Sequence, residues 1–193
     1  MFITGATGTG KSQLARALFR SAPAPRTVID PADSDLTRVP GARTFHDPRK
    51  IPDAPTTRFV PRDPFDYDAY DALYQGLFRS FPRYVWVDEA GFVLPVNKVT
   101  KAARIYLVQG RKRELGHLAL HTRPREVDPN LIAQAQHIAC FDLPNPDDRD
   151  RIASLAGIPP REFDRILGAL PEYGFVWWSQ RARTLHVCPP IKL

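Results

Sequence analysis

Cysteine and methionine are scarce in this 193-residue chain, which holds two Cys and one Met. Cys140 and Cys188 are too few for a disulfide scaffold, or by themselves for a zinc site, so both are expected to be reduced and structural. Long apolar runs are missing as well: none approaches the roughly 18 residues a membrane helix needs. With the first apolar strand read from Met1, neither a signal-like N-terminus nor a preceding domain is expected. The expectation is a soluble, intracellular protein. No internal repeat or low-complexity segment is visible, and no Ser/His/Asp or Cys/His constellation can be recognised. His117 and His121 fall on the same side of a strand, but no Cys or acidic residue lies at metal-ligand spacing from them, so a zinc site is not expected.

Acidic residues are in deficit, with 21 Asp and Glu against 27 Lys and Arg, a formal net charge of +6 and a pI near 9.6. A basic surplus permits binding to a polyanion without requiring it. Proline is plentiful, at 20 residues, and concentrated in loops such as 21–25 and 59–64. Apolar content is ordinary, at 43%, so these prolines are read as rigid connections between short elements of one domain spanning 1–193.

Gly5-Ala6-Thr7-Gly8-Thr9-Gly10-Lys11-Ser12 spells G-x-x-x-x-G-K-S, a phosphate-binding loop. Its glycines let backbone N–H groups curl around an anion with no Cβ in the way. Lys11 is expected against the β- and γ-phosphates of a nucleoside triphosphate such as ATP, and Ser12 on Mg²⁺. A short apolar strand, 1–4, precedes the loop. Helical spacing follows over 12–20, so the loop opens a helix whose N-terminus favours negative charge.

Beyond the loop, further strands are expected at 26–30, 56–60, 84–87, 116–120 and 137–141. Helices are expected at 66–81 with Asp66 as cap, at 98–113, at 129–136, and as two short segments between Pro146 and Leu170. The tail, 174–178 and 184–187 about a Gln-Arg-Ala-Arg turn, reads as a β-hairpin. Alternation of strand and helix predicts an α/β fold, a mostly parallel sheet with helices on both faces.

Val85-Trp86-Val87-Asp88-Glu89 is the second informative string. A buried strand ending in Asp brings one carboxylate beside the loop, where Asp88 and Ser12 can share a Mg²⁺ shell. Glu89 is then placed to polarise an attacking water. Tandem Asp-Glu favours hydrolysis over transfer to a small acceptor, because a kinase must exclude water. At 118–122 a polar side chain ends another core strand. It either caps the strand or contacts the γ-phosphate or the water, and spacing leaves both open. Gly110-Arg111-Lys112-Arg113 ends the long helix with cations, as a solvated helix end does, or as an arginine finger reaching a neighbouring subunit's site. Lys98, Lys101 and Arg104 continue that basic surface, either as a solvated face or as a DNA-facing stripe. Trp177 and Trp178 are expected to divide between core and surface.

The phosphate loop, Asp88-Glu89, Gly110-Arg111 and His121-Thr122-Arg123-Pro124, in this order, resemble the FtsK/HerA group of P-loop ATPases, above all the short genome-packaging ATPases of double-jelly-roll viruses and phages. The resemblance covers about 1–145, leaving 146–193 as C-terminal helices and hairpin. It implies a RecA-like core, a hexameric ring of identical subunits, ATP and Mg²⁺, and double-stranded DNA driven through the central pore. By position it makes Lys11 and Ser12 the phosphate and Mg²⁺ ligands, Asp88 the metal support, Glu89 the water activator, and Arg111 the trans-acting finger with Arg113 second. Thr122 stands where the family's strand-end sensor is usually Gln. The implied setting is the host cytoplasm or the virion, with capsid or portal-vertex proteins as further partners. Two other classes fit the same core: an ATPase for virion assembly, extrusion or protein handling, and a P-loop nucleotide kinase.

Overall fold

The computed structural model describes residues 1–80 and 82–191. Seven strands run parallel: β1 (Phe2–Thr4), β2 (Arg26–Ile29), β3 (Arg43–Phe45), β4 (Thr56–Phe59), β5 (Arg83–Val87), β6 (Leu115–His121) and β7 (His137–Cys140). Two more, β8 (Phe175–Ser179) and β9 (Thr184–Cys188), form an antiparallel hairpin that joins the sheet along β7. The strand order is β3-β4-β2-β5-β6-β1-β7-β8-β9.

Alternation along each strand divides the core in two. On one face Phe2, Ile29, Val85, Val87, Ala119, Ile138 and Cys140 meet α2 (Tyr67–Arg79), α4 (Lys101–Gln109), α5 (Pro129–Ala133), α6 (Pro146–Ala156) and α7 (Pro160–Gly168). On the other, Ile3, Val28, Trp86, Leu120, Ala139 and Phe141 meet α1 (Lys11–Ser21) through Leu14, Ala15 and Phe19. Both faces of the central strands are therefore covered, as a parallel sheet requires. Trp86 is fully enclosed, its ring centroid 5.5 Å from that of Phe19, and burial of a side chain of that kind contributes roughly 1.5–3 kcal/mol. The α/β class, the parallel sheet, helices on both faces and the C-terminal hairpin all agree with the expectation.

Some boundaries move for local reasons. Asp66 caps α2 as expected, its Oδ1 accepting from Ala69 N–H at 2.9 Å; Phe81, the expected last residue of that helix, lies outside the described residues. Helix α4 begins at Lys101 rather than Lys98, because the Thr100 side chain accepts from Ala103 N–H and sets the cap. Lys98 therefore stands before the helix, its ammonium 4.2 Å from the centre of the Tyr67 ring, and does not belong to a helical stripe with Lys101 and Arg104. The helix expected over 129–136 ends at Ala133. Strand β3 and the one-turn α3 (Ala90–Val93) were not expected. Cys140 is buried and Cys188 half-buried, both as free thiols. Trp177 and Trp178 are both half-buried and pack on opposite faces of the sheet, so neither stands clear as a stacking platform.

Candidate active site

The phosphate-binding loop leaves β1 at Thr4 and closes on α1. Gly5, Gly8 and Gly10 have φ of 146°, 83° and 104°, backbone that L side chains rarely adopt. A Cβ at Gly5 would lie 2.5 Å from Phe141 Cβ, whereas one at Gly8 would meet nothing within 4 Å. The loop is pinned at one end and open at its tip. Ala6 N–H donates to Asp142 O at 2.7 Å, and Thr9 Oγ1 donates to Ala6 O at 2.8 Å. No side chain caps α1, and its first turn carries no acidic residue, so the helix N-terminus offers its partial positive charge to an anion. Lys11 Nζ donates to Ala6 O at 2.7 Å, within the loop. Lys11 is 8% exposed. Burial lowers its pKa while Glu89 and Asp88 oppose that shift, so an anion beside it would relieve a desolvated ammonium.

Sheet order decides where the acidic pair stands. Strand β6 lies between β1 and β5, so Asp88 and Glu89, directly after β5, face the loop across the end of β6. Asp88 is 7% exposed, and its pKa is pushed up to about 7, by burial first and then by the charges of Asp30 and Glu89. A buried carboxylate with two acidic neighbours is a site that favours a cation. Asp88 with the half-buried Ser12 offers the hard oxygen ligands that Mg²⁺ accepts. Asp30 is fully buried and ion-paired to Arg58, which also reaches Asp33 at 2.6 Å. Neither Asp30 nor Arg58 was singled out from the sequence.

Glu89 sits at φ 48°, in the left-handed region, and precedes α3. For a non-glycine residue that conformation is uncommon and costs energy. Its Oε2 accepts from His121 Nδ1 at 3.1 Å. This contact is the leading reason its carboxyl is held below the usual range, against the opposing effect of burial. Strand β6 ends at His121, in register with Thr4 of β1, so His121 is the strand-end side chain that reaches the acidic pair. Thr122 is half-buried just beyond it.

Arg111 belongs to the turn Gly110–Arg113 ahead of β6 and is exposed. It lines a cleft of about 800 Å³ with Met1, Ala22 and His137, at the edge of the sheet where the parallel strands begin. The phosphate loop lies at the opposite edge. A single chain therefore sets Lys11 beside Asp88 and Glu89 and keeps Arg111, ahead of β6, apart from them. The sequence reading missed the His121–Glu89 contact. A polar strand end at 121 was the one feature the sequence offered there, and it does not name Glu89 as the partner.

No protein-family model matches the chain, and no curated protein matches its sequence. Solved structures do resemble it. The genome packaging NTPase B204 from Sulfolobus turreted icosahedral virus 2, in complex with AMPPCP, superposes with a TM-score of 0.79 at 19% identity, over 98% of this chain and 96% of that one. The DNA-packaging ATPase B204 from Sulfolobus Turreted Icosahedral Virus gives 0.75 at 18%, over 99% and 97%. The pCW3 conjugation coupling protein TcpA with ATPgS gives 0.64 at 12%, over 100% of this chain and 60% of that one. Among the described residues no helix is long and apolar enough to cross a membrane. The chain has the P-loop NTPase fold of the viral genome-packaging ATPases, the family that its motifs resemble.

Proposed function

We propose that this protein is an ATP-hydrolysing motor that moves double-stranded DNA, packaging a viral genome into a preformed capsid as a homo-oligomeric ring, with capsid or portal-vertex proteins as docking partners. The observation that supports the reading is an uncapped, glycine-turned phosphate loop whose Lys11 feels the charges of Asp88 and Glu89 across one strand end. In this reading the loop amides and Lys11 bind the triphosphate, and Ser12 and Asp88 hold Mg²⁺. When bound, that ion neutralises charge on the phosphate oxygens. Glu89 takes the proton of the attacking water, and Thr122 stands by as the strand-end sensor. The agreement of fold along nearly the whole of a packaging NTPase supports DNA as the cargo, and the net charge of +6 is compatible with a polyanion.

The test is the steady-state ATPase rate with and without linear double-stranded DNA at low salt. Wild-type protein is expected to hydrolyse faster with DNA, and the stimulation should fade as salt rises, because phosphate contacts release counterions. Lys11→Ala should abolish turnover, and Glu89→Gln should abolish it while still binding ATP. Hydrolysis that ignores DNA would overturn the DNA motor in favour of a protein-handling ATPase. Normal turnover by Glu89→Gln would overturn the assignment of the water activator.

A further inference from the structure

His121 is 6% exposed and stands between two carboxylates. Its Nδ1 lies 3.1 Å from Glu89 Oε2, and its Nε2 lies 3.1 Å from Glu126 Oε2. An ionised carboxylate only accepts hydrogen bonds, so a ring nitrogen meets either acid as an N–H donor. Gly91 N–H also lies 3.3 Å from the same Nδ1 and would donate to it in the tautomer whose hydrogen is on Nε2, whereas Nδ1–H donates to Glu89. The seat is narrow. A Cβ at residue 91 would stand 2.5 Å from His121 Cε1 and Nε2, so the imidazole fits where it does because α3 has glycine there.

The far carboxylate is itself held. Glu126 lies in the turn Pro124–Glu126 and pairs with Arg123 at 3.3 Å. Arg123 Nε reaches Asp148 Oδ2 at 3.2 Å, Asp148 Oδ1 accepts from Arg125 N–H at 3.1 Å, and Arg125 pairs with Asp147 at 2.5 Å. Asp147 and Asp148 open α6, in the C-terminal part of the chain that showed no motif. A continuous set of charged hydrogen bonds thus runs from α6 through the 123–126 turn and the His121 ring to Glu89.

We propose that His121 is the positioning residue for Glu89, with Glu126, anchored by α6, fixing the orientation of the ring. This rests on the reading of Glu89 as the residue that activates water. A general base works only when its oxygen is directed at the proton it removes. Glu89 follows the end of its strand in a strained conformation, and the imidazole is what holds its free oxygen in one place. The expected result of losing that hold is lower kcat with nucleotide affinity unchanged, since His121 touches the acid and not the phosphate loop.

Three substitutions separate this from a merely structural histidine. His121→Leu keeps the bulk and removes both contacts; its kcat should fall on the order of 10- to 100-fold, the loss typical of a misplaced reacting group, with the Kd for a fluorescent ATP analogue unchanged. His121→Asn carries its amide nitrogen near the place of Nδ1 and should recover most of that loss. His121→Gln reaches toward the Nε2 side and should not. Full kcat in His121→Leu, or equal recovery by Asn and Gln, overturns the proposal. A measurement independent of turnover is ¹⁵N NMR of histidine-labelled protein. Glu89→Gln should shift His121 Nδ1 and Glu126→Gln should shift Nε2; if Glu89→Gln moves neither nitrogen, the contact is absent in solution and the proposal fails. Failure of the underlying reading is distinguishable, because Glu89→Gln would then hydrolyse ATP at the wild-type rate whatever the NMR shows.

Discussion

At Gly5 the chain must turn out of β1 with positive φ while passing against Phe141, and two separate effects forbid a side chain there. The backbone angle, 146°, is one; the 2.5 Å approach of a would-be Cβ to Phe141 Cβ is the other. At Gly8 only the first applies, since its φ is 83° and nothing lies within 4 Å. Overpacking a fixed neighbour costs roughly 1–3 kcal/mol beyond any backbone strain, and a left-handed non-glycine residue about 1–2 kcal/mol. Gly5→Ala is therefore expected to melt several degrees below Gly8→Ala, at about 2–4 °C per kcal/mol for a chain of this size. Nucleotide affinity should drop in both, because both disturb the cradle. Thermal melts with a nucleotide titration check this, and equal melting temperatures would show that Phe141 yields to the new methyl group.

Between elements, the packing of α2 and α4 on β6 carries a titratable group. His117 is half-buried as a residue, with its ring enclosed between Tyr74 and Tyr106 at centroid distances of 6.2 and 5.7 Å, and its Nε2 lies 3.1 Å from Tyr74 Oη. Burial, and secondarily the positive N-terminus, lowers its pKa from 6.5 to about 3. The unfolded chain therefore takes up a proton before the folded one. This group contributes stability that is complete above about pH 6.5 and is lost as pH falls from there toward 3, by up to about 1.4 kcal/mol per pH unit. His117→Gln should flatten that part of the curve in chemical denaturation between pH 7 and pH 4, and an unchanged slope would refute the account. The same strand shows what was legible beforehand. Its apolar run predicted a core strand, and the loop motif with the Val85–Glu89 string predicted where nucleotide chemistry would gather. Arg43-Thr44-Phe45 gave no such signal, because a three-residue edge strand with only Phe45 buried has no period to read. The one-turn α3 is too short for helical spacing. The His121–Glu89 contact was out of reach for another reason: it joins residues 32 apart in sequence, and it exists because β6 lies between β5 and β1, which spacing does not reveal. Likewise the last hairpin was readable as a hairpin, but not as an extension of the sheet along β7.

For the whole molecule, the decisive geometry is the separation of Arg111 from the loop of its own chain. Helix α4 ends and β6 begins at one edge of the sheet, whereas Lys11 and Glu89 gather at the other. An arginine there can neutralise transition-state charge only in a neighbour's site, as it would when subunits of a ring present opposite edges to one another. In such a ring hydrolysis would be a property of junctions and not of chains. Arg111→Ala should lose turnover while keeping nucleotide affinity, and Lys11→Ala should lose both. Mixed, the two inactive proteins should recover activity, because a junction that joins an intact loop on an Arg111→Ala subunit to an intact arginine on a Lys11→Ala subunit is complete. With equal amounts and random assembly each requirement is met half the time, so about a quarter of junctions should work and the mixture should approach a quarter of the wild-type rate if sites act independently. The rate should also peak near equal proportions and vanish at either extreme. A flat zero across all ratios, in a mixture shown by sizing to contain both proteins in one assembly, would mean that Arg111 does not complete a neighbour's site. Arg111 would then do no more than end the helical segment in solvent.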